Sequence, residues 1–413
     1  MDVEIITIGD EVITGHTVDT NSAFIGQQLT GLGFNVQYKT SVGDTLETME
    51  EAFQIAIKRT QLVIVTGGLG PTEDDITKKA IVKVFKRNLI FHEDMLEILK
   101  ERFLKRGIEM PAINQNQALL PQGATFFPNK TGSALGICIA EQGKIFISLP
   151  GVPAEMQQIL VDSVIPYLKG IKTGQALSVA KLRTTGISES MIAEIITPRL
   201  KLEPGVRLAY LPSYGGVDLR VIAAADDEVE AEEKAQKLIR YLESTVGQYI
   251  FGREDDSLEG IIGQLLNDND KTLAVAESCT GGQLGMTITS IPGSSQYFLG
   301  GVIAYDNDIK IRHLGIEPDI IKEHGAVSEA CATAMAVCCR KVFRADYSLA
   351  ITGIAGPEGG SDEKPVGTVY IGLASAHANQ AKLYKLGLKR DIIRTRAVYA
   401  ALEMLRREIL DIK

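Results

Sequence analysis

The chain has 413 residues, 45% apolar and 23% charged, with a formal net charge of −9. Such a length exceeds one ordinary core and predicts two or three domains. The composition is that of a soluble globular protein, and the acidic balance argues against a broad basic face for nucleic acid.

Any phosphate ligand is therefore expected on backbone N–H groups rather than among lysines. The five cysteines (Cys138, Cys279, Cys331, Cys338 and Cys339) form no C-x-x-C pair, which fits reduced thiols and a cytoplasmic location. No apolar run reaches the roughly 20 residues that span a bilayer, and the first residues carry no signal-peptide pattern. No membrane partner is expected.

From residue 1 to about 170, strand-like and helix-like stretches alternate. "VEIITIG" reads as a buried strand and "NSAFIGQQLTGLGF" as a helix ending at Gly33. "NVQYKTSV" is a second strand, followed by the helix "TLETMEEAFQIAIKR" with Thr45 as N-cap. "QLVIVTGG" is a fully apolar strand, and "KIFISLPGVPAEMQQILVDSVIPYL" closes the segment as strand, turn and helix. Strands separated by helical lengths predict a parallel sheet covered on both faces.

Residues from about 171 to 252 read as a small α+β domain: strand-like "LSVAKLRTTGI", "VRLAYLPS" and "VDLRVIAAA", with a long charged helix from Asp226. "SYGGV" is similar to the glycine loop of KH-type RNA binders, but it lacks basic neighbours and the right spacing. From about 253 to 413 the pattern returns to α/β. "KTLAVAE", "QYFLGGVIAY", "YSLAITGIAG" and "VGTVYIGLAS" are strands; "VSEACATAMAVCCRKVF" is a helix with Ser328 as N-cap, and the last twenty or so residues form another. The expected architecture is α/β: two three-layer α/β domains, 1–170 and 253–413, joined by a small α+β (KH-like) domain at 171–252.

Two acid-bearing glycine turns, "GDEVITGHTVDTNS" and "TGGLGPTEDD", follow strands of the first segment, where ligands of open α/β sheets sit. Gly67, Gly68 and Gly70 let the backbone approach a ligand closely. Pro71 and Thr72 are expected to lead into a helix whose first turn carries Glu73, Asp74 and Asp75. Carboxylates beside a phosphate suit a divalent cation between them.

These two turns together with "LPGVPAEM" resemble the molybdopterin-binding domain family, in the form found at the N-terminus of the CinA (competence/damage-inducible) family. The resemblance covers about residues 1–170. It implies a nucleotide diphosphate at Gly67, Gly68, Gly70 and Thr72, and a metal-dependent ADP-ribose pyrophosphatase. Asp10, Glu11, Asp44, Asp74 and Asp75 then become candidates to hold a divalent metal ion and activate water, with a monovalent cation as a further candidate cofactor. "NKTGSALG", opening at Asn129, looks like another ligand loop.

In the third segment "AVAESCTGGQLG" places Ser278, Cys279 and Thr280 at a strand end, before Gly281 and Gly282. Amide hydrolysis needs a nucleophile, a base and a charge stabiliser, and a hydroxyl on a strand-to-helix turn is exposed where following N–H groups converge. The residues alone leave a phosphate cradle or a helix cap as alternatives. For a base, a lysine of lowered pKa can replace histidine, and "AYDNDIKIRHLG" offers Tyr305 and Lys310.

"AESCTGGQLGMTITSIPGSSQYFLGGVIAYDNDIKIRHLGI", "HGAVSE" and "ITGIAGPEGGSDEKPVGTVYIGL" resemble the C-terminal CinA domain, also found alone as nicotinamide mononucleotide (NMN) deamidases. The resemblance covers about residues 255–410 and implies hydrolysis of NMN to nicotinic acid mononucleotide and ammonia, with no cofactor. On matching positions Ser278 is the nucleophile, Lys310 its base with Tyr305 assisting, and Thr352 holds or polarises the amide. Thr280, Gly281, Gly282 and Gly353 line the substrate, with Ser361, Asp362 and Lys364 as further contacts. Arg390, with Arg394 as fallback, binds the phosphate. The family's G-D-R is Leu388-Lys389-Arg390 here. Cys279 is expected to point to the other face and pack. Partners implied are small-molecule nucleotides (NMN, ADP-ribose) and a second copy in a homodimer. The competing class is a non-catalytic molybdopterin or nucleotide sensor linked to competence.

Overall fold

The structure is a computed structural model describing residues 1–72, 75–105, 107–171, 176–387 and 389–412. It falls into two compact units, Met1–Ser178 with Ala224–Ala231, and Val179–Ala223 with Glu232–Lys413. Among the described residues no helix is long and apolar enough to cross a membrane.

The strands of the first unit are β1 (Asp2–Ile8), β2 (Asn35–Val42), β3 (Leu62–Thr66), β4 (Leu89–Phe91), β5 (Leu119–Pro121), β6 (Thr125–Phe127), β7 (Gly136–Glu141) and β8 (Lys144–Leu149). The main sheet has the order β2-β1-β3-β8-β7-β6. β2, β1, β3 and β8 are parallel, but β7 and β6 continue antiparallel, so the sheet is mixed rather than parallel throughout. The reversal lies at Gln142-Gly143, whose φ values of 51° and 74° make the two-residue turn that a tight hairpin requires. Alternate residues serve opposite faces. Val3, Ile5, Leu62 and Ile64 pack with Ile25 and Leu29 of the helix Thr20–Gly31. Ile6, Ile8, Val63 and Val65 pack with Met49 and Phe53 of the helix Leu46–Arg59. Two cores on one sheet give three layers. The helix expected from Pro71 starts only at Thr77, which leaves Asp75 in the preceding turn.

The middle segment contributes β9 (Ala176–Thr184), β10 (Val206–Pro212), β11 (Val217–Ala225) and β12 (Ile250–Arg253), in the order β10-β11-β9-β12, with the helix Glu228–Val246. Next come β13 (Leu273–Glu277), β14 (Phe298–Ile303), β15 (Tyr347–Gly353), β16 (Thr368–Ala374) and β17 (Asn379–Lys385), forming one sheet of order β14-β13-β15-β16-β17. β14, β13 and β15 are parallel; β16 and β17 return antiparallel. Leu273, Val275, Leu349 and Ile351 face a core filled from the helices Leu258–Asp268 and Arg390–Ile409. Ala274, Ala276 and Ala350 face the helix Glu329–Phe343. Small residues there let the helix come close: a Cβ at Gly372 would lie 2.2 Å from the Ala332 carbonyl.

The C-terminal helix also carries a buried ion pair. Arg406 is 2% exposed, its Nε donates to Glu403 Oε2 at 2.7 Å, and its Nη2 donates to the Gln248 carbonyl at 2.6 Å. Removing Arg406 leaves the buried Glu403 carboxylate with the longer contact of Arg407 Nη1 at 3.5 Å, a poorly compensated charge. Arg406→Met is therefore expected to lower unfolding free energy by about 3–5 kcal/mol, read as a lower denaturant midpoint. A change below about 1 kcal/mol would mean that the pair is not desolvated in solution.

Candidate active sites

In the first unit a cavity of about 390 Å³ opens at the carboxyl ends of β1 and β3, lined by Gly9, Glu11, Asp19, Asn21, Asp44, Thr66, Gly67, Gly68, Asp75 and Gly151 among others. Three chain segments meet there with almost no side-chain volume. A Cβ at Gly67 (φ 117°) would lie 2.4 Å from the Ile8 carbonyl, and one at Gly151 would lie 3.3 Å from Gly67 Cα. Polar groups around this floor are tied down. Asn21 Nδ2 donates to Thr66 Oγ1 (3.0 Å) and the Gly151 carbonyl (2.7 Å), while its buried Oδ1 has no partner among the described residues. Asp19 accepts from Ser22 N–H, capping the helix it precedes, and from Thr7 Oγ1. Burial would raise the Asp19 carboxyl, but these hydrogen bonds and the Lys39 charge outweigh it and hold it below its ordinary value. Asp19 and Asn21 lay inside a quoted motif but were not among the expected site residues; their side-chain roles depend on Thr7, Thr66 and Gly151, distant in sequence.

The expected acids arrive unequally. Glu11, Asp44 and Asp75 line the cavity. Asp10 and Asp44 exchange hydrogen bonds, each backbone N–H donating to the other's carboxylate at 3.0 and 3.1 Å. Asp75 accepts from Gly70 N–H (2.7 Å), Thr72 N–H (2.9 Å) and the Thr72 hydroxyl. Gly70 and Thr72 therefore serve the turn and do not line the cavity. Asp74 lies outside the described residues. No group of three or more acids, histidines or cysteines placed to hold a metal ion forms among the described residues. The crowding still has a charge effect. Burial first, then Asp10, Glu11 and Asp75, raises the Asp44 carboxyl. Asn129 is fully buried and bonded within the protein: its Oδ1 accepts from Thr131 and Gly132 N–H, and its Nδ2 donates to the Ala134 carbonyl and Glu155.

In the second unit a cavity of about 280 Å³ is lined by Ser278, Cys279, Tyr305, Asn307, Lys310, Thr352, the 353–356 backbone, Glu358 and Arg390, with Ala326 and Val327. Ser278 stands just past the end of β13 and is 9% exposed. Lys310, 1% exposed, comes from the short helix Asn307–Arg312, and its Nζ donates to the Tyr305 carbonyl (3.2 Å) and Asn307 Oδ1 (3.4 Å) rather than to Ser278. No carboxylate pairs with it among the described residues. Burial therefore lowers the ammonium below its ordinary pKa, with only partial opposition from Cys331, Asp306 and Cys279.

Several expectations need correction here. Gly281 and Gly282 have the positive φ values that the turn demands, 58° and 96°, yet their N–H groups are taken up within the protein. Gly281 N–H donates to the Ser278 carbonyl at 3.0 Å. The buried Glu277 carboxylate accepts from Gly282 (3.0 Å), Leu284 (2.9 Å) and Gly285 (2.8 Å), capping the helix that starts at Gln283. Thr280 is fully buried and does not line the cavity; its carbonyl accepts from Arg394 Nη2 at 2.5 Å. Arg394 is thus a brace for the turn. Thr352 lines the cavity, but its hydroxyl donates to the Ala326 carbonyl at 2.7 Å. Tyr305 is 59% exposed and its hydroxyl accepts from Arg390 Nη2 at 3.1 Å, while Arg390 Nη1 donates to the Gly356 carbonyl at 2.6 Å. Ser361 and Asp362 do not line the cavity, and Lys364 binds the His324 and Val327 carbonyls, holding a wall of the cavity in place. Cys279 belongs to the core, as expected, but it also lines the cavity. Burial pushes its thiol up to about 11, so it stays protonated near neutrality and is a poor nucleophile.

Comparison with known proteins covers nearly the whole chain. The family description "CinA C-terminal domain" matches residues 255–409, "Probable molybdopterin binding domain" matches 4–170, and "Damage-inducible protein CinA KH domain" matches 180–252. A "CinA-like protein" of Dictyoglomus thermophilum is 40% identical over 412 residues, covering 100% of both chains. Another from Gemmatimonas aurantiaca is 42% identical over 411 residues, covering 98% of this chain and 96% of its own. The crystal structure of the protein CinA from Thermoplasma acidophilum is 36% identical and covers 41% of this chain and 97% of its own, with a TM-score of 0.38.

Proposed function

The chain belongs to the CinA family, and from that premise we propose that it is a bifunctional nucleotide hydrolase: an NMN deamidase in its C-terminal part and an ADP-ribose pyrophosphatase in its N-terminal part. The observation that carries the first activity is a hydroxyl, Ser278, sharing one hollow with a buried lysine, Lys310, that pairs with no carboxylate among the described residues. Neutral Lys310 takes the Ser278 proton as Oγ attacks the carboxamide carbon. The tetrahedral species collapses, the C–N bond breaks, and Lys310 returns the proton to the departing nitrogen as ammonia. Water then attacks the seryl ester with Lys310 again the base, releasing the carboxylic acid and restoring Ser278. Arg390, on the same rim, is placed to exchange its Gly356 and Tyr305 contacts for the substrate phosphate. The test is ammonia release from NMN by the full chain. Well-folded protein that binds NMN but releases none would favour a binding protein without turnover.

For the N-terminal part, the glycine floor at Gly67, Gly68 and Gly151 admits a diphosphate against the backbone. Glu11, Asp44 and Asp75 crowd negative charge beside that floor. The arrangement fits a divalent cation shared with the phosphates, as magnesium is commonly held by one or two carboxylates plus substrate oxygens, and not a closed resident site. Such an ion would supply charge neutralisation at the scissile phosphate; the chain's own part is to seat the diphosphate against the glycine floor. EDTA is expected to abolish AMP release from ADP-ribose while leaving ammonia release from NMN unchanged. Equal inhibition of both reactions would overturn the two-site scheme.

A further inference from the structure

A second hollow in the same unit as the Ser278 site, about 230 Å³, lies where the middle segment meets the C-terminal one. Its walls come from the β10–β11 hairpin tip, Ser213–Gly216, the first turn of the helix Leu258–Asp268, and Thr395 and Tyr399 of the C-terminal helix. The hairpin is built for this fit. A Cβ at Gly215 would come within 3.0–3.2 Å of the Tyr399 ring, and one at Gly216 within 1.8 Å of the Thr184 carbonyl. The glycine pair that is similar to a KH loop is thus spent on closing the hollow.

Its charges do not cancel. Arg183 Nε donates to Asp218 Oδ1 at 3.1 Å and Arg183 Nη1 donates to the Asp256 carbonyl, so that pair is internally neutral. Glu259 is left over: its Oε2 is buried with no hydrogen-bond partner among the described residues. A carboxylate in the first turn of a helix is favoured by the dipole. That explains the charge at this position but not an oxygen withheld from every donor, which normally costs free energy. Three aromatic residues, Tyr214, Phe251 and Tyr399, share the lining. Burial, and then the neighbouring Glu259 charge, raises the Tyr399 phenol above its ordinary range.

We propose that this hollow is a binding site for a small organic cation, an ammonium or guanidinium group received by the Glu259 carboxylate against the aromatic wall. One uncompensated carboxylate with π faces suits such a group. A multivalent metal would need more donors than the hollow offers, and no metal-holding group forms among the described residues. The volume is below the several hundred Å³ of pockets for larger ligands. The proposal is independent of the reaction assigned to Ser278.

The test is isothermal titration of the full chain with ethylammonium chloride and with guanidinium chloride at millimolar concentration, against sodium and potassium chloride at equal ionic strength. Saturable binding of one organic cation per chain is expected, weakened at least about tenfold in Glu259→Gln by loss of a charge-assisted hydrogen bond. Tyr399→Leu, which keeps the carboxylate, is expected to weaken it as well; its melting curve and that of Glu259→Gln, taken beside the parent's, show whether each is folded. No saturable binding to the parent chain, equal binding by folded Glu259→Gln, or equal competition by sodium or potassium would each overturn the proposal.

Discussion

Ser278→Ala is expected to abolish ammonia release from NMN, with kcat falling on the order of 10⁴-fold or more, as removal of an attacking group does in other hydrolases. Substrate binding should change little, because Ser278 adds one small hydroxyl to a wall that also holds Tyr305, Asn307, Lys310, Thr352, Glu358 and Arg390. The fold should also survive: the turn is held by the Glu277 carboxylate and by Arg394 on the Thr280 carbonyl, neither of which involves the Ser278 side chain. Cys279→Ala is the paired control. Its thiol also reaches the hollow, but burial keeps it protonated, so activity should be retained, with a modest loss of stability from the vacated core volume. If the two results were exchanged, the nucleophile would be Cys279 and the base argument would have to be rebuilt around a thiolate.

Lys310→Met should cost about 10²- to 10⁴-fold in kcat, the range for a positioned base. Met keeps an unbranched apolar stem in the buried slot, so the fold is expected to persist. The pH dependence carries the sharper reading. Catalysis needs the neutral amine, and burial lowers the Lys310 pKa from its ordinary value. Log kcat/KM should therefore rise with pH and level off once pH passes that lowered pKa, earlier than an exposed lysine would allow. In Lys310→Met the rise should disappear from the residual activity. Lys310→Arg should not rescue, since guanidinium stays protonated at any working pH. Wild-type activity flat across the alkaline range, or an active Lys310→Arg, would remove Lys310 from the role.

The candidate sites were legible in unequal parts. Ser278 stands out because a hydroxyl before two glycines is a short-range pattern, whereas Lys310 is picked out by the family resemblance; both end in one hollow. The turn N–H groups were misassigned for a reason that spacing hides. Glu277, the last residue of β13, folds its carboxylate back over the turn and takes the donors that the pattern seems to offer a ligand. Asp75 does the same to Gly70 and Thr72. Asn129, read as a ligand, is consumed by its own loop. In each case a nearby carboxylate or amide takes hydrogen bonds that the pattern seems to offer a ligand, and for the buried Glu277 and Asn129 leaving the group unpaired would cost more.

The amino-acid order by itself determined the α/β elements and the glycine turns at strand ends, because side-chain period and backbone freedom are local properties. Only the tertiary structure decided that β7, β16 and β17 run against their neighbours, which donors remain open to a ligand, and that Lys310 is buried with no carboxylate partner among the described residues. Those outcomes depend on distant groups: Ile351, whose carbonyl anchors Ser278 N–H, lies 73 residues along the chain, and the desolvation that tunes an amine is the sum of everything packed around it.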